Sequence, residues 1–280
     1  MNTNPISLKQ IKELRARTLI GIKDCKAALI QAGGDIDEAV SILKRNGRIK
    51  ANSRIQRKTD NGCAFIYRDT DKLAIALQTC ESESVAINNV FRSAGHKLVE
   101  VIAASGSTDL TSDMELLLKD SMAIFKENMS LREAVYWNIG KDEIVGEYIH
   151  NDGEIIAVVK LKADRAGAQH DNTIKSLCSD LAMHICAAAP MFLDRQSVDS
   201  GYLAEYVELF LSQSREIENV NDETRQNIAK GKLSKHLSTL CLMEQEYVKD
   251  NKKSIKQVIS DAEKLTGYNI ELTDFARLAV

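Results

Sequence analysis

Ser7-Leu8-Lys9-Gln10-Ile11-Lys12-Glu13-Leu14-Arg15 is the stretch from which the rest of the chain can be read. Ser7 with Gln10 three positions on is a capping box, because the hydroxyl can accept from an early helical N–H while the amide reaches back to the Ser7 N–H. Leu8, Ile11 and Leu14 follow at helical spacing, with Lys9, Lys12, Glu13 and Arg15 on the rest of the wheel. A second helical pattern carries Ile22, Cys25, Ala28 and Leu29 to Gly33-Gly34, where positive φ ends a helix cheaply. Asp35 with Glu38 restarts a third helix with Ala39, Val40 and Leu43 inside, and Asn46-Gly47 is expected to stop it. Three short helices bury only a small core and leave little room for an internal active site, so this module points to a surface role.

Residues 48–61 are polar and basic with little apolar periodicity, which predicts a linker or a frayed helical extension. Cys63–Arg68 and Leu73–Gln78 flank Asp69-Thr70-Asp71-Lys72, turn chemistry between two strands. Ile87, Val90, Phe91, Ala94, Leu98, Val101 and Ile102 form one helical stripe to pack on that hairpin, and Ala134–Ile139 supplies a third strand. A second set repeats the order: Ile144–Ile149, a turn at Asn151-Asp152-Gly153, Glu154–Lys160, and a helix from about 172 to 189 stopped by Pro190. From Tyr202 the charged helical pattern with Leu203, Val207, Phe210 and Leu211, then Ile228, Leu233, Leu237 and Leu240, predicts an inserted antiparallel helical hairpin. The chain returns through Tyr247-Val248-Lys249-Asp250 and closes in a helix near Ser254 to Leu265. The fold class is α+β.

The chain has 280 residues, 44% hydrophobic, with 37 basic and 40 acidic side chains and a formal charge of -3. No global field favours a polyanion, so direct nucleic-acid binding is not expected. The six cysteines, at 25, 63, 80, 178, 186 and 241, show no Cys-x-x-Cys pair and are expected as reduced core thiols. No apolar run approaches the roughly 20 residues a bilayer needs, and Met1–Pro5 lacks signal-peptide features, so a cytoplasmic protein off the membrane is expected. There is no phosphate-cradling glycine motif, no Gly-x-Ser-x-Gly elbow, and no metal spacing among His96, His150, His170, His184 and His236. No cofactor, no metal and no covalent catalysis are expected.

Glu13–Thr18, Gly21–Leu29 and Gly34–Ala39 resemble the ubiquitin-associated-type head of the bacterial elongation factor Ts family. Lys126–Arg132, Leu181–Phe192 and Cys241–Asp250 extend the resemblance, in order, over nearly the whole chain. It implies a ubiquitin-associated-like three-helix head at 1–50, a linker at 51–61 and a first α+β core subdomain at 62–142. A second core subdomain at 143–200 and 241–280 carries the C-terminal helix, and the helical hairpin occupies 201–240. It further implies a guanine-nucleotide exchange factor for elongation factor Tu, in its GDP-bound and nucleotide-free forms, and a homodimer through the hairpin.

In the resembled family a Thr-Asp-Phe-Val element displaces the magnesium ion beside GDP on Tu. Aligned by Cys80 and Val85-Ala86, that element falls on Ser82, Glu83, Ser84 and Val85. Only the valine is kept; Glu83 preserves a carboxylate and Ser84 replaces an aromatic ring. The resemblance gives Arg15, Ile22, Lys23, Lys26, Phe125, Lys126, His150, Val248 and Lys249 as partner-binding positions. Ile22-Lys23 stands for a Met-Met pair and Phe125-Lys126 for Ile-Gly. The altered tip leaves a second expectation open, a Tu-binding paralogue or chaperone with weak exchange; a ubiquitin-associated-like adaptor or RNA-binding protein is a third.

Overall fold

The structure, a computed structural model, describes residues 6–52, 54–215 and 221–280, apart from the side chains of 48–50 and 52. Residues 1–5, read above for the absence of a signal peptide, lie outside the described residues, as do Ser53 of the expected linker and 216–220 of the expected hairpin. Two compact units share the chain: Met1–Asn138 with Asn151–Ile156 and Leu278–Val280, and Ile139–His150 with Ala157–Arg277. Each mixes helix and sheet, as an α+β chain should. The five segments expected from the sequence are a finer division than these two.

The first unit begins with α1 (Leu8–Thr18), α2 (Ile22–Gln31) and α3 (Ile36–Asn52). The Ser7 hydroxyl accepts from Gln10 N–H at 3.2 Å and the Ser7 N–H donates to Gln10 Oε1 at 3.0 Å, closing the capping box. Ile11 and Leu14 are buried, but Leu8 is 75% exposed. Its expected place is taken by Ile6, which packs with Ile11 in the helical core as a hydrophobic staple, one residue before the cap against the fourth inside. Gly33 and Gly34 take φ of 60° and 93° after α2, and Asp35 Oδ1 caps α3 by accepting from Glu38 N–H at 2.8 Å. The expected stop at Asn46-Gly47 does not occur. A Cβ on Gly47 would collide with Ala123, so the glycine marks a close approach of helices and α3 runs on to Asn52.

Next come β1 (Asn61–Arg68) and β2 (Lys72–Cys80), then α4 (Glu83–Ala86), α5 (Asn89–Ser105), α6 (Ser112–Phe125) and β3 (Met129–Asn138). The sheet order is β1-β2-β3, and the central β2 is buried along almost its whole length. Asp69 makes the hairpin turn as expected, its carboxylate accepting from Asp71 and Lys72 N–H. Phe91, Leu98, Val99 and Ile102 of α5 cover the sheet, and Gly95 lies against the ring of Phe65, where no Cβ fits. α6 ends on Lys126 with φ 62°, a left-handed position that glycine would hold without strain. Of the stretch expected as a linker or a frayed helical extension, the first residues continue α3 to Asn52 and the later ones are tied to β3: Thr59 Oγ1 bonds Ser130 Oγ at 3.1 Å, and Arg132 donates to the Thr59 carbonyl at 2.5 Å.

The second unit contains β4 (Glu143–His150), α7 (Asn172–Ala188), α8 (Ser200–Arg215), α9 (Asp222–Leu240), β6 (Glu246–Tyr247), β7 (Asp250–Ser254), α10 (Ile255–Thr266) and most of β5 (Ile155–Ala163) and β8 (Ile270–Ala279). Its main sheet has the order β4-β5-β8, again with the second strand central. A Cβ on Gly146 of β4 would meet the Cys178 carbonyl of α7, so helix and strand are in close contact there. α8 and α9 run antiparallel, since Tyr202 bonds His236 at 3.1 Å and Gln213 bonds Lys232 at 3.3 Å, and Tyr206 stacks on His236 with ring centroids 4.3 Å apart. The closing strand β8 has no counterpart in the sequence reading. All six cysteines are buried, and none is in a disulfide.

Two stability changes follow from this packing. Both alanine and glycine at 126 remove the ion pair of Lys126 with Asp24, so comparing them isolates the backbone: Lys126→Gly should exceed Lys126→Ala in urea-unfolding stability by about 1 kcal/mol, and equal values would contradict the left-handed cap. Gly95→Ala should cost roughly 1–3 kcal/mol by overpacking against Phe65, with Phe65→Leu recovering part of the loss; a neutral Gly95→Ala would show that the approach is not tight.

Candidate functional site

The tip grows from the end of β2. Ser82 is the N-cap of α4, a single turn of four residues, with its backbone extended at φ -123°. Val85 and Ala86 point into the core beneath the first sheet, and their burial turns Glu83 and Ser84 outward. Ile87 was expected on the buried stripe of the following helix. It is instead the C-cap of α4 and 70% exposed, because Asn88 starts α5 one residue later by accepting from Val90 N–H at 2.8 Å. Exposed Glu83, Ser84 and Ile87 therefore share helical spacing.

What holds this turn is a pair of reciprocal bonds between the end of β2 and the α6–β3 junction. Glu127 takes both donors of Ser82, the hydroxyl at 2.7 Å on one carboxylate oxygen and the N–H at 3.0 Å on the other. Glu81, the residue before, accepts from Asn128 N–H at 2.5 Å. Hydrogen bonds to an ionised carboxylate are about twice as strong as neutral ones, and here each carboxylate grips the other strand's backbone. Asn128 is buried and passes the connection on, its amide donating to the carbonyls of Ile55 at 3.0 Å and Arg57 at 2.6 Å. Arg57 in turn lies 3.4 Å from Glu81. Burial first, and the Glu127 carboxylate second, push the Cys80 thiol up to about 11; as a thiol it donates to the Ser82 carbonyl at 3.2 Å.

Above this base the exposed side chains of Glu83 and Ser84 have few ties. Ser84 Oγ lies 3.2 Å from Ser82 Oγ, and the Glu83 carboxylate makes no hydrogen bond or ion pair among the described residues. No cluster of three metal-ligating side chains occurs among the described residues. Glu81, Glu127 and Asn128 were not singled out as site residues from the sequence. Their pairing spans more than forty residues and leaves no local periodicity, although Glu127-Asn128 lies in one of the strings that carry the resemblance.

The other expected positions fall into separate groups. On the first unit Arg15, Lys23 and Lys26 are exposed, and Ile22 is 55% exposed. Leu19 was not expected. It is 51% exposed at φ 57°, a strained backbone for a branched residue, and it adds apolar surface two residues before Gly21. Phe125 packs against the core of the first sheet, while Lys126 is exposed and reaches Asp24 of α2 at 3.1 Å. On the second unit His150 is exposed with its ring stacked 6.4 Å from Tyr148. Val248 is 47% exposed, and Lys249 pairs with Asp180 of α7 at 2.6 Å.

No described helix is long and apolar enough to cross a membrane. The family model described as Elongation factor TS matches residues 81–280. Among similar proteins, elongation factor Ts of Borrelia recurrentis (strain A1) is 35% identical over 276 residues, covering 98% of this chain and 99% of its own. Elongation factor Ts of Borreliella burgdorferi (strain ZS7) is 33% identical over the same length, with the same coverage. Elongation factor Ts of Treponema denticola is 31% identical over 268 residues, covering 96% of this chain and 95% of its own. With an ordered match that takes in both the braced tip and the second sheet, the chain belongs to the elongation factor Ts family.

Proposed function

We propose that the Ser82–Val85 turn is the part of this protein that loosens GDP, by carrying the Glu83 carboxylate toward the magnesium-binding edge of the partner's nucleotide site. Guanine-nucleotide exchange on elongation factor Tu is the work of the family to which the chain belongs. A nucleoside diphosphate is held by Mg²⁺ and by backbone N–H groups, so moving the metal or its supporting segment strips charge compensation from the phosphates. The observation that carries the proposal is the combination at the tip: an outward carboxylate without a partner among the described residues, on a turn whose base is tied by Glu127 and Glu81. A rigid base lets force act on the partner instead of bending the turn. Coupling is reciprocal, so a chain that weakens GDP on Tu is weakened by GDP to the same factor.

In this reading the three-helix head is a ubiquitin-associated-like docking module that grips Tu through Arg15, Ile22, Lys23 and Lys26. Phe125 and Lys126 contact Tu from the first core subdomain, and His150, Val248 and Lys249 from the second. The finer division into head, linker, two core subdomains and inserted hairpin belongs to the same proposal, with a homodimer through the helical hairpin, on whose α8 Leu203, Val207 and Leu209 are exposed. No bond is made or broken by this chain, no cofactor or nucleic acid is bound directly, and the work is done in the cytoplasm.

One observation favours a second reading, docking with weak exchange. Ser84 has neither bulk nor apolar surface and turns its hydroxyl toward Ser82. An aromatic anchor at an interface centre is worth about 2 kcal/mol, roughly thirtyfold in rate. Ile87 offers apolar surface one turn further on. Stopped-flow release of fluorescent GDP from the cognate Tu separates the two. The chain should accelerate release, Glu83→Ala should reduce the acceleration, and Glu127→Ala should reduce it by about tenfold or more while binding persists, since the turn loses its charge-assisted bonds. Ser84→Phe should raise it by up to roughly thirtyfold. Tight binding with unchanged GDP release would replace exchange by docking.

A further inference from the structure

Of the five histidines, His184 of α7 is the one with no exposed surface, and the exchange mechanism above leaves it unused. Its two ring nitrogens have definite tasks. Nδ1 accepts from the Val248 N–H at 3.3 Å, so Nδ1 carries no proton there, and Nε2 is the protonated nitrogen that donates to Gln245 Oε1 at 3.0 Å. The Gln245 amide is itself oriented, because its Nε2 donates to the Thr239 carbonyl at 2.7 Å. A continuous relay thus runs from the end of α9 through Gln245 and His184 to the backbone of Val248.

Val248 and Lys249 are the two loop residues between paired Tyr247 and Asp250. Two-residue hairpin loops normally take positive φ, which matches the strand twist, yet neither residue is among those with positive φ. The turn therefore draws its position from outside itself. Asp180 and His184 lie one turn apart on α7, and they hold Lys249 by its ammonium at 2.6 Å and Val248 by its N–H. We propose that His184 is a positioning residue: through Nδ1 it fixes the exposed Val248–Lys249 turn for contact with elongation factor Tu and releases it on protonation. This rests on the reading of Val248 and Lys249 as Tu contacts.

The chemistry of release is direct. A protonated imidazole has two donors and no acceptor, so it would face the Val248 N–H donor to donor. The titratable groups around it are Tyr247, with its ring centroid 6.2 Å away, Asp180 on its own helix, and Lys249, which pairs with that aspartate; Gln245 and Thr239 bring no charge. Burial lowers the His184 pKa from 6.5, with the Gln245 bond acting weakly the other way. The unfolded chain then takes up its proton before the native one, so stability is complete above about 6.5 and falls as the pH drops toward the lowered native value.

The test uses the full chain and nucleotide-free cognate Tu. Val248 amide exchange, corrected for its intrinsic pH dependence, and the ¹⁵N signals of the His184 ring are followed from about pH 7.5 to about pH 5.5, alongside Tu affinity. Val248 protection should fall roughly tenfold in step with ring protonation, and affinity should fall with it. His184→Asn, which puts a non-titrating acceptor near the Nδ1 position, should keep the affinity and lose its pH dependence. Val248 protection that stays flat while the ring titrates overturns the positioning role, and a ring that stays neutral throughout overturns release on protonation. If Val248 protection follows the ring but Tu affinity ignores both the pH and Val248→Asp, it is the contact reading underneath that fails.

Discussion

Two carboxylates facing opposite ways across one strand junction hold the feature on which the rest depends. Glu127 takes both donors of Ser82, and Glu81 takes the N–H of Asn128, so the end of β2 and the start of β3 are locked in register at the root of the tip. Hydrogen bonds to charged groups contribute about 1.5–3 kcal/mol each, and removing one carboxylate strands the donors it served. A one-turn helix of four residues is far below the length at which helices hold themselves, so α4 keeps its shape through this brace and through the burial of Val85 and Ala86.

The same logic runs outward from the brace. Asn128 connects it to the carbonyls of residues 55 and 57, and Arg57 returns to Glu81. Lys126, one residue before Glu127, holds a left-handed cap and meets Asp24 of the helical head. The stretch from Lys126 to Asn128 thus faces the head, the tip and the segment between them at once. On the second unit the analogous device is a neutral histidine, whose single acceptor nitrogen holds an exposed turn in place.

Local signals made much of the fold legible in the sequence. Ser7 with Gln10, Asp35 with Glu38, and Asp69 with Lys72 each write a cap or turn within four residues, and each bond is present. The misses are of another kind. Gly47 looks like a helix stop because close helix packing and helix termination both select glycine, and only the position of Ala123 tells them apart. Leu8 and Ile87 fit a helical stripe on paper, but one yields its place to Ile6 and the other falls in the gap between α4 and α5. The strand Ile270–Ala279 did carry a signal, in the alternation of Ile270, Glu271, Leu272 and Thr273. At the site, resemblance alone pointed to Ser82–Val85 as the tip, whereas Glu81 and Glu127 act across a separation that no window of sequence contains.

If the tip works by moving the partner's metal ion, its effect has to depend on that ion being there. The direct measurement is the GDP dissociation rate of the cognate elongation factor Tu at saturating chain, as free Mg²⁺ is lowered from millimolar to chelated levels. The account predicts a large acceleration at high Mg²⁺ that shrinks toward none once the metal has been removed by other means. An acceleration of the same size with and without Mg²⁺ would contradict it.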